Sequence, residues 1–314
     1  MQSMYLVTGA AGFIGRSIAA ELLRQGEQVR GIDNLSTGKK ENIADLGAME
    51  FIEADLNDAD SVAVACKGVD VIFHEAALPS VPRSVKDPWT SNEANVSATL
   101  RLLIAARAAG TKRVIYAGSS SAYGETPTLP KVETMLPAPI SPYAVSKLTG
   151  EYYMQSFARV YGLETVALRY FNVFGPYQDP SSQYSGVLAK FTRQMLANQA
   201  PTIWGDGEQS RDFTFIENVV HANILAAQAP AAAVSGRVFN IATNSRITLN
   251  QAVAMLRELT GYAGEVHNGP ERSGDIRHSL ADIRLAEEHL GYKVQVDFRE
   301  GLRRTIEWYR DSEG

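Results

Sequence analysis

In the first half of the chain, short apolar runs alternate with segments whose apolar residues recur at helical spacing. MYLVTG, QVRGID, VDVIFHEA and KRVIYAGSS read as strands, and RSIAAELLRQG, DADSVAVACKG and SNEANVSATLRLLIAARAAG between them read as helices. Strands alternating with helices of about ten or more residues need crossover connections, so neighbouring strands run parallel and helices cover both faces of one sheet. The pattern predicts a doubly wound α/β domain. After LETVALRYFNVFG the composition shifts to GPYQDPSSQYSG, rich in Pro, Gly and Ser, and then to mixed helices and short strands. That shift predicts a domain boundary. The expected division is a first domain over 1–179, with 212–243 returning to it, and a smaller C-terminal α/β domain over 180–211 and 244–314.

Composition narrows the class. At 314 residues the chain can bury a large core, and 45% hydrophobic with 21% charged residues is the balance of a globular protein in water. A net charge of -5, with no run of Lys or Arg longer than two, excludes a footprint for a phosphate backbone, so nucleic acid is not an expected partner. No apolar run approaches the roughly 18 residues of a membrane span and no basic leader precedes MYLVTG, so a cytoplasmic protein is expected. The one cysteine, Cys66 in SVAVACKGVD, cannot form an intrachain disulfide or a multi-cysteine metal site, and reads as a small buried hydrophobe. No metal is expected.

The first strand leads into LVTGAAGFIG, with Gly9, Gly12 and Gly15 at the head of the first helix. Glycines there permit a tight turn and bring backbone N–H groups close to a pyrophosphate, at the helix end whose dipole favours negative charge. Glycines in such a turn also occur for packing alone, but a strand before and a helix after strengthen the reading. Asp33 stands eighteen residues beyond Gly15, at the end of the second strand, where a carboxylate would hold the adenosine ribose. No arginine adjoins it to receive a 2′-phosphate, which favours NAD over NADP.

In SPYAVSK, Ser141 can cap a helix and Pro142 can occupy its first turn, which places Tyr143 and Lys147 at i and i+4 on one face. A free phenol, with a pKa of about 10, is a poor base at neutral pH. A nearby ammonium, or a cationic nicotinamide ring, would favour the phenolate. Taken alone the pair reads as an ordinary amphipathic helix. The third partner decides: RVIYAGSSSAYG ends in Ser119, Ser120 and Ser121, after a strand whose C-terminal end lines the crevice of a doubly wound sheet.

Together these features resemble the extended short-chain dehydrogenase/reductase family, over essentially the whole chain, and imply a Rossmann domain with a smaller substrate domain. The family's GxxGxxG turn matches Gly9, Gly12 and Gly15, with Phe13 and Ile14 between them; its catalytic hydroxyl and YxxxK pair match Ser119, Tyr143 and Lys147. The resemblance also implies cofactor contacts at Asp33, Asn34, Ser36, Thr37, Gly38, Asp55, Leu56, Ala76, Ala77, Asn95 and Tyr170. Within the family the chain resembles the NAD-dependent nucleotide-sugar 4-epimerases. LRYFNVFGP, SRDFTFIENV and PERSGDIRHS supply Asn172, Arg211, Arg272 and Asp275; two arginines suit a UDP diphosphate, whose paired oxygens guanidinium groups bind bidentately. Val187 and Trp204 join the substrate residues implied by the resemblance, with Ser120 and Ser121.

The branch of the family rests on fewer residues. Dehydratases carry an Asp-Glu pair after the active hydroxyl and decarboxylases usually a glutamate, whereas Ser120 and Ser121 stand here. Neither can do that acid-base work, which favours 4-epimerisation of a UDP-hexose or UDP-N-acetylhexosamine through a transient 4-keto sugar. AALPSVPRSVKDP and QDPSSQYSGVLAKF are similar to UDP-N-acetylglucosamine 4-epimerases, and Ser279 stands where glucose-restricted enzymes carry a tyrosine gate. A small gate leaves volume for a 2-acetamido group without excluding the smaller sugar. Arg83 in VPRSV could instead meet a substrate carboxylate, as in a UDP-glucuronate 4-epimerase. Another NAD-dependent oxidoreductase or dehydratase on the same fold, and a non-enzymatic nucleotide sensor, stay open, although such sensors usually lack the YxxxK pair. The resemblance also implies a homodimer through helices of the first domain.

Overall fold

The computed structural model describes residues 3–179, 186–271 and 277–312. The chain opens with β1 (Met4–Thr8), α1 (Phe13–Arg24), β2 (Gln28–Asp33), β3 (Glu50–Glu53), α2 (Ala59–Cys66) and β4 (Val71–His74). Next come α3 (Val81–Lys86), α4 (Pro88–Asn92), α5 (Ala98–Ala109), β5 (Arg113–Ser119), α6 (Pro142–Tyr161) and β6 (Glu164–Tyr170). Shorter elements alternate after that: β7 (Val173–Phe174), α7 (Val187–Leu196), β8 (Thr202–Trp204), β9 (Ser210–Arg211), β10 (Thr214–Phe215), α8 (Ile216–Gln228) and α9 (Ala231–Val234). The last are β11 (Arg237–Ile241), β12 (Ile247–Thr248), α10 (Leu249–Thr260), β13 (His267–Gly269), α11 (Arg284–Leu290) and α12 (Phe298–Ser312).

Seven strands form one parallel sheet in the order β11-β6-β5-β4-β1-β2-β3, the predicted doubly wound arrangement. The order reverses between β1 and β4, and ligands of open α/β sheets bind beyond the strand ends at such a switch. Parallel register brings Thr8 opposite His74, His74 opposite Tyr116, and Ser119 opposite Tyr170, so four polar strand ends line up along one edge. The alternation reading passed over β3, because EFIE offers only two apolar residues between glutamates.

Each central strand buries both faces, as a sheet covered on two sides must. Val7, Phe73 and Ile115 belong to one buried cluster; their neighbours Leu6, Ile72 and Val114 belong to the other. The first cluster continues without a break into Phe174, Phe215, Leu256 and Leu302. α1 begins at Phe13, earlier than RSIAAELLRQG suggests. The helix expected over SNEANVSATLRLLIAARAAG is α4, a π-helical turn at Glu93–Ser97, and α5. The wider turn brings Asn95 inward, where its Oδ1 accepts from Leu78 N at 2.8 Å. No helix among the described residues is long and apolar enough to cross a membrane.

Candidate active site

The β1–α1 turn is shaped by contacts that only glycine tolerates. Gly9 has φ +67°, and a Cβ there would stand 2.8 Å from Ala76 N; a Cβ on Gly15 would stand 2.1 Å from Gly9 O. Gly12 caps α1 without a side chain and the first turn carries no acidic residue, so the N–H groups at that end face outward for an anion. Asp33 closes the turn from β2. Its Oδ2 accepts from Ala11 N at 3.0 Å and its Oδ1 from Leu35 N at 2.8 Å, while burial pushes its carboxyl above the usual range.

A cavity of about 700 Å³ opens beyond these strand ends. Gly9, Gly12, Phe13, Ile14, Gly15, Asp33, Asn34, Ser36, Thr37, Asp55, Leu56, Ala76 and Ala77 line it, as do Arg83, Ser119, Ser120, Tyr143, Lys147, Tyr170 and Asn172. A second cavity, about 480 Å³, shares Asn172 and Val173 with the first and adds Val187, Trp204 and Arg211. The nucleotide motif, the tyrosine-lysine pair and the arginine segment thus meet around joined cavities.

Four expected residues stand behind the walls. Gly38 packs so closely on Asp33 that a Cβ would lie 2.9 Å from its Oδ2. Asn95 is buried, its Nδ2 donating to Ser146 Oγ at 3.0 Å. Ser121 donates to Ser119 Oγ at 2.8 Å. Ser279 Oγ accepts from Asn172 Nδ2 at 3.2 Å and from Asp212 N at 3.3 Å, so it sets the orientation of Asn172. Arg272 and Asp275 lie outside the described residues.

The proton-transfer pair is seated by α6. Ser141 Oγ accepts from Ala144 N at 3.1 Å, capping the helix as its sequence predicts, and Tyr143 N donates to Ser84 Oγ at 3.0 Å. Tyr143 and Ser119 line the same cavity. The lowering of the Tyr143 pKa by Lys147 that the sequence suggests is not found. Burial pushes the phenol above its ordinary value, opposed by the Ser119 side chain. The reason is where the ammonium sits: Lys147 Nζ lies 4.7 Å from the centre of the Tyr116 ring, and burial pulls it below the usual lysine range against the charges of Glu75 and Glu151.

Sequence reasoning missed several lining residues. Glu75 lines the first cavity, and a carboxylate directly after the apolar strand VDVIFH was its signal. Tyr177 and Trp308 also line the first cavity, their rings 4.9 Å apart. Trp308 sits in the last helix and no local motif marks it.

The model of the NAD dependent epimerase/dehydratase family matches residues 5–242. A UDP-glucose 4-epimerase of Mycolicibacterium smegmatis is 39% identical, over 98% of this chain and 98% of that protein. Among solved structures, the UDP-glucose 4-epimerase of Thermotoga maritima with UDP-glucose superposes with TM-score 0.94 at 39% identity, covering 99% of this chain and 100% of the other. The UDP-N-acetylglucosamine 4-epimerase of Methanobrevibacter ruminantium, in complex with UDP-N-acetylmuramic acid, gives TM-score 0.94 at 41% identity with the same coverage.

Proposed function

The chain belongs to the NAD dependent epimerase/dehydratase family, and from that premise we propose that it inverts C4 of a UDP-hexose or UDP-N-acetylhexosamine. One observation carries this reading: Tyr143, Lys147 and Ser119 line the same cavity as the glycine turn, and that cavity shares Asn172 and Val173 with the one holding Arg211. The residues present fit NAD. The Gly9–Gly15 contacts leave no room for side chains where a pyrophosphate would lie on α1, and Asp33 lines the cavity at the end of β2.

Bound NAD supplies reversible oxidation of the sugar carbinol, and the protein's own residues move the proton and hold the nucleotide. Tyr143 would take the proton of the 4-hydroxyl, directly or through Ser119, and return it after the 4-keto sugar has turned. Lys147 would hold the nicotinamide ribose and favour the phenolate. Arg211, with Asn172, would grip the diphosphate, so that binding energy remote from C4 retains the intermediate. Arg272 and Asp275 are proposed for the diphosphate and a ribose hydroxyl on the sequence pattern alone. Val187 and Trp204 give the second cavity an apolar side for the base. Ser120 and Ser121 offer no carboxylate for losing water or CO2.

Arg83 supports a second reading, a UDP-glucuronate 4-epimerase, because it lines the cavity that holds Tyr143. Incubation with UDP-glucose, UDP-N-acetylglucosamine and UDP-glucuronate separately, followed by NMR of the products, decides between them. Conversion of one sugar to its C4 epimer is the expected result. Loss of water or CO2, or steady accumulation of reduced cofactor, would replace the reading with a dehydratase, decarboxylase or dehydrogenase. Tyr143→Phe should still bind NAD and UDP-sugar while losing about a hundredfold or more of kcat. Wild-type kcat in that variant removes Tyr143 from the reaction.

A homodimer belongs to the proposal. α5 and α6 pack side by side and leave Ile104, Val145, Tyr152 and Val160 exposed, an apolar surface of the kind that pairs with a second copy.

A further inference from the structure

The first cavity holds a carboxylate to which the proposed reaction gives no task. Glu75 follows His74 at the end of β4. Its Oε1 accepts from the Tyr170 hydroxyl at 2.9 Å, and that hydroxyl in turn accepts from Asn223 Nδ2 at 2.9 Å. Its Oε2 is buried and has no hydrogen-bond partner. A half-satisfied buried carboxylate is costly and needs a physical reason to persist. Lys147 lines the same cavity, 4% exposed, and among the described residues its ammonium donates to no carboxylate; the Tyr116 ring is its near neighbour.

The titratable and charged groups around the pair can be sorted by what already compensates them. From α6 come Tyr143 and Glu151, from β5 Tyr116, from β6 Arg169 and Tyr170, and from β4 His74. Arg169 grips Glu151 through Nη2 at 2.8 Å and Nε at 3.0 Å, so that carboxylate is neutralised where it stands. His74 is neutral and the three tyrosines are held as phenols by burial. Glu75 is then the carboxyl without a guanidinium partner in the cavity that Lys147 also lines. Burial raises the Glu75 carboxyl above the usual range, opposed by the Tyr170 bond and by the charge of Lys147, and burial lowers the Lys147 ammonium below its usual range, opposed by the charges of Glu75 and Glu151.

We infer that Glu75 is a positioning residue: its unpartnered oxygen keeps the Lys147 ammonium charged and seated in the cavity beside Tyr143. The inference rests on the proposed role of Tyr143 and Lys147. Tyr170 and Asn223 fix the carboxylate, so the charge is held at one place before any ligand arrives.

Glu75→Gln keeps the shape and an acceptor for Tyr170 and removes the charge; Glu75→Asp keeps the charge. The test is competitive acetylation of Lys147 in the full chain across a pH series, without sugar, read by peptide mass spectrometry. Glu75→Gln should move the half-point of Lys147 about one pH unit lower, while Glu75→Asp stays near wild type. A folded Glu75→Gln with an unmoved half-point overturns the inference, even if its melting temperature falls. If that variant does not fold, the same coupling is read from the other side, because it is reciprocal. The Glu75 carboxyl, followed by carbon-13 NMR, should titrate higher in Lys147→Met than in wild type, and equal titration overturns the proposal. Wild-type protein that turns over no UDP-sugar, with the Lys147 half-point still moving in Glu75→Gln, would sink the epimerase reading and leave this pairing in place.

Discussion

His74 shows how one buried side chain can shape the site without reacting in it. The Thr99 hydroxyl donates to Asn95 O at 2.6 Å, so it must accept from His74 Nε2 at 2.8 Å. Nδ1 then accepts from the Thr8 hydroxyl at 2.8 Å, and Thr8 Oγ1 accepts from Ala76 N at 3.1 Å. The chain of bonds fixes the neutral ring and braces the segment under Gly9. Burial, aided by the charge of Lys147, holds the His74 pKa down to about 3, against about 6.5 when unfolded. The unfolded chain therefore takes up a proton first as pH falls. The stability His74 contributes is fully present above about 6.5 and is lost progressively toward about 3. His74→Asn cannot titrate, so it should melt lower than wild type at neutral pH, with the gap shrinking by roughly 2 °C per pH unit on acidification. Calorimetry across that range checks this, and parallel pH profiles for the two proteins would refute it. The sequence shows a histidine at a strand end; its two threonine partners come from β1, through the sheet register, and from α5, through its packing on the sheet.

At the scale of elements, α6 does most to place the chemistry, and one glycine sets its distance from the sheet. A Cβ on Gly150 would lie 2.2 Å from Tyr116 Oη and 2.4 Å from its Cζ, and that ring is 1% exposed with its hydroxyl donating to Lys147 O at 3.2 Å. Replacing glycine by alanine inside a helix ordinarily adds about 1 kcal/mol of stability. Here overpacking against a pinned ring should cost about 1–3 kcal/mol and reverse the sign. Because Tyr116 is also the seat of Lys147, Gly150→Ala should lower kcat on the order of tenfold to a hundredfold. Nucleotide affinity should hold, since the glycine turn and the second cavity lie on other elements. A higher melting temperature with wild-type kcat would show that the helix accommodates the methyl group. The start of α6 was legible because Ser141 and Pro142 form a local signal, and so was the glycine turn, whose residues are close in sequence. The edge strand β3 and the π-helical turn at Glu93–Ser97 were not: one is too short for a periodic pattern, and the other answers to a tertiary bond from Asn95.

At the scale of the whole molecule, the doubly wound parallel sheet followed from alternating strands and helices, while the order of its strands and the closure of the cavity did not. Trp308 and Tyr177 reach the first cavity from distant parts of the chain, and Glu75 acquires its meaning only beside Lys147 and Tyr170. The outer surface bears on assembly. Ile104 is 56% exposed, Tyr152 52% and Val160 67%, and α3 and α4, which also pack on α6, add Val85 and Trp89 at 65% and 74%. Side chains this large on adjoining helices are costly to leave in water. A two-fold interface over α5 and α6 would set the face of one copy against the same face of the other, and a stable one would bury about 1,200–2,000 Å² in total. Light scattering should therefore give wild type the mass of two chains. Ile104→Asp and Tyr152→Arg, which place charge at the centre of the face and touch neither cavity, should each give the mass of one. Because α6 carries Tyr143 and Lys147 on its inner side, these variants should also lose part of kcat as the unsupported helix loosens, with NAD affinity little changed. Wild type running at the mass of one chain, or both variants remaining paired, would move the interface elsewhere.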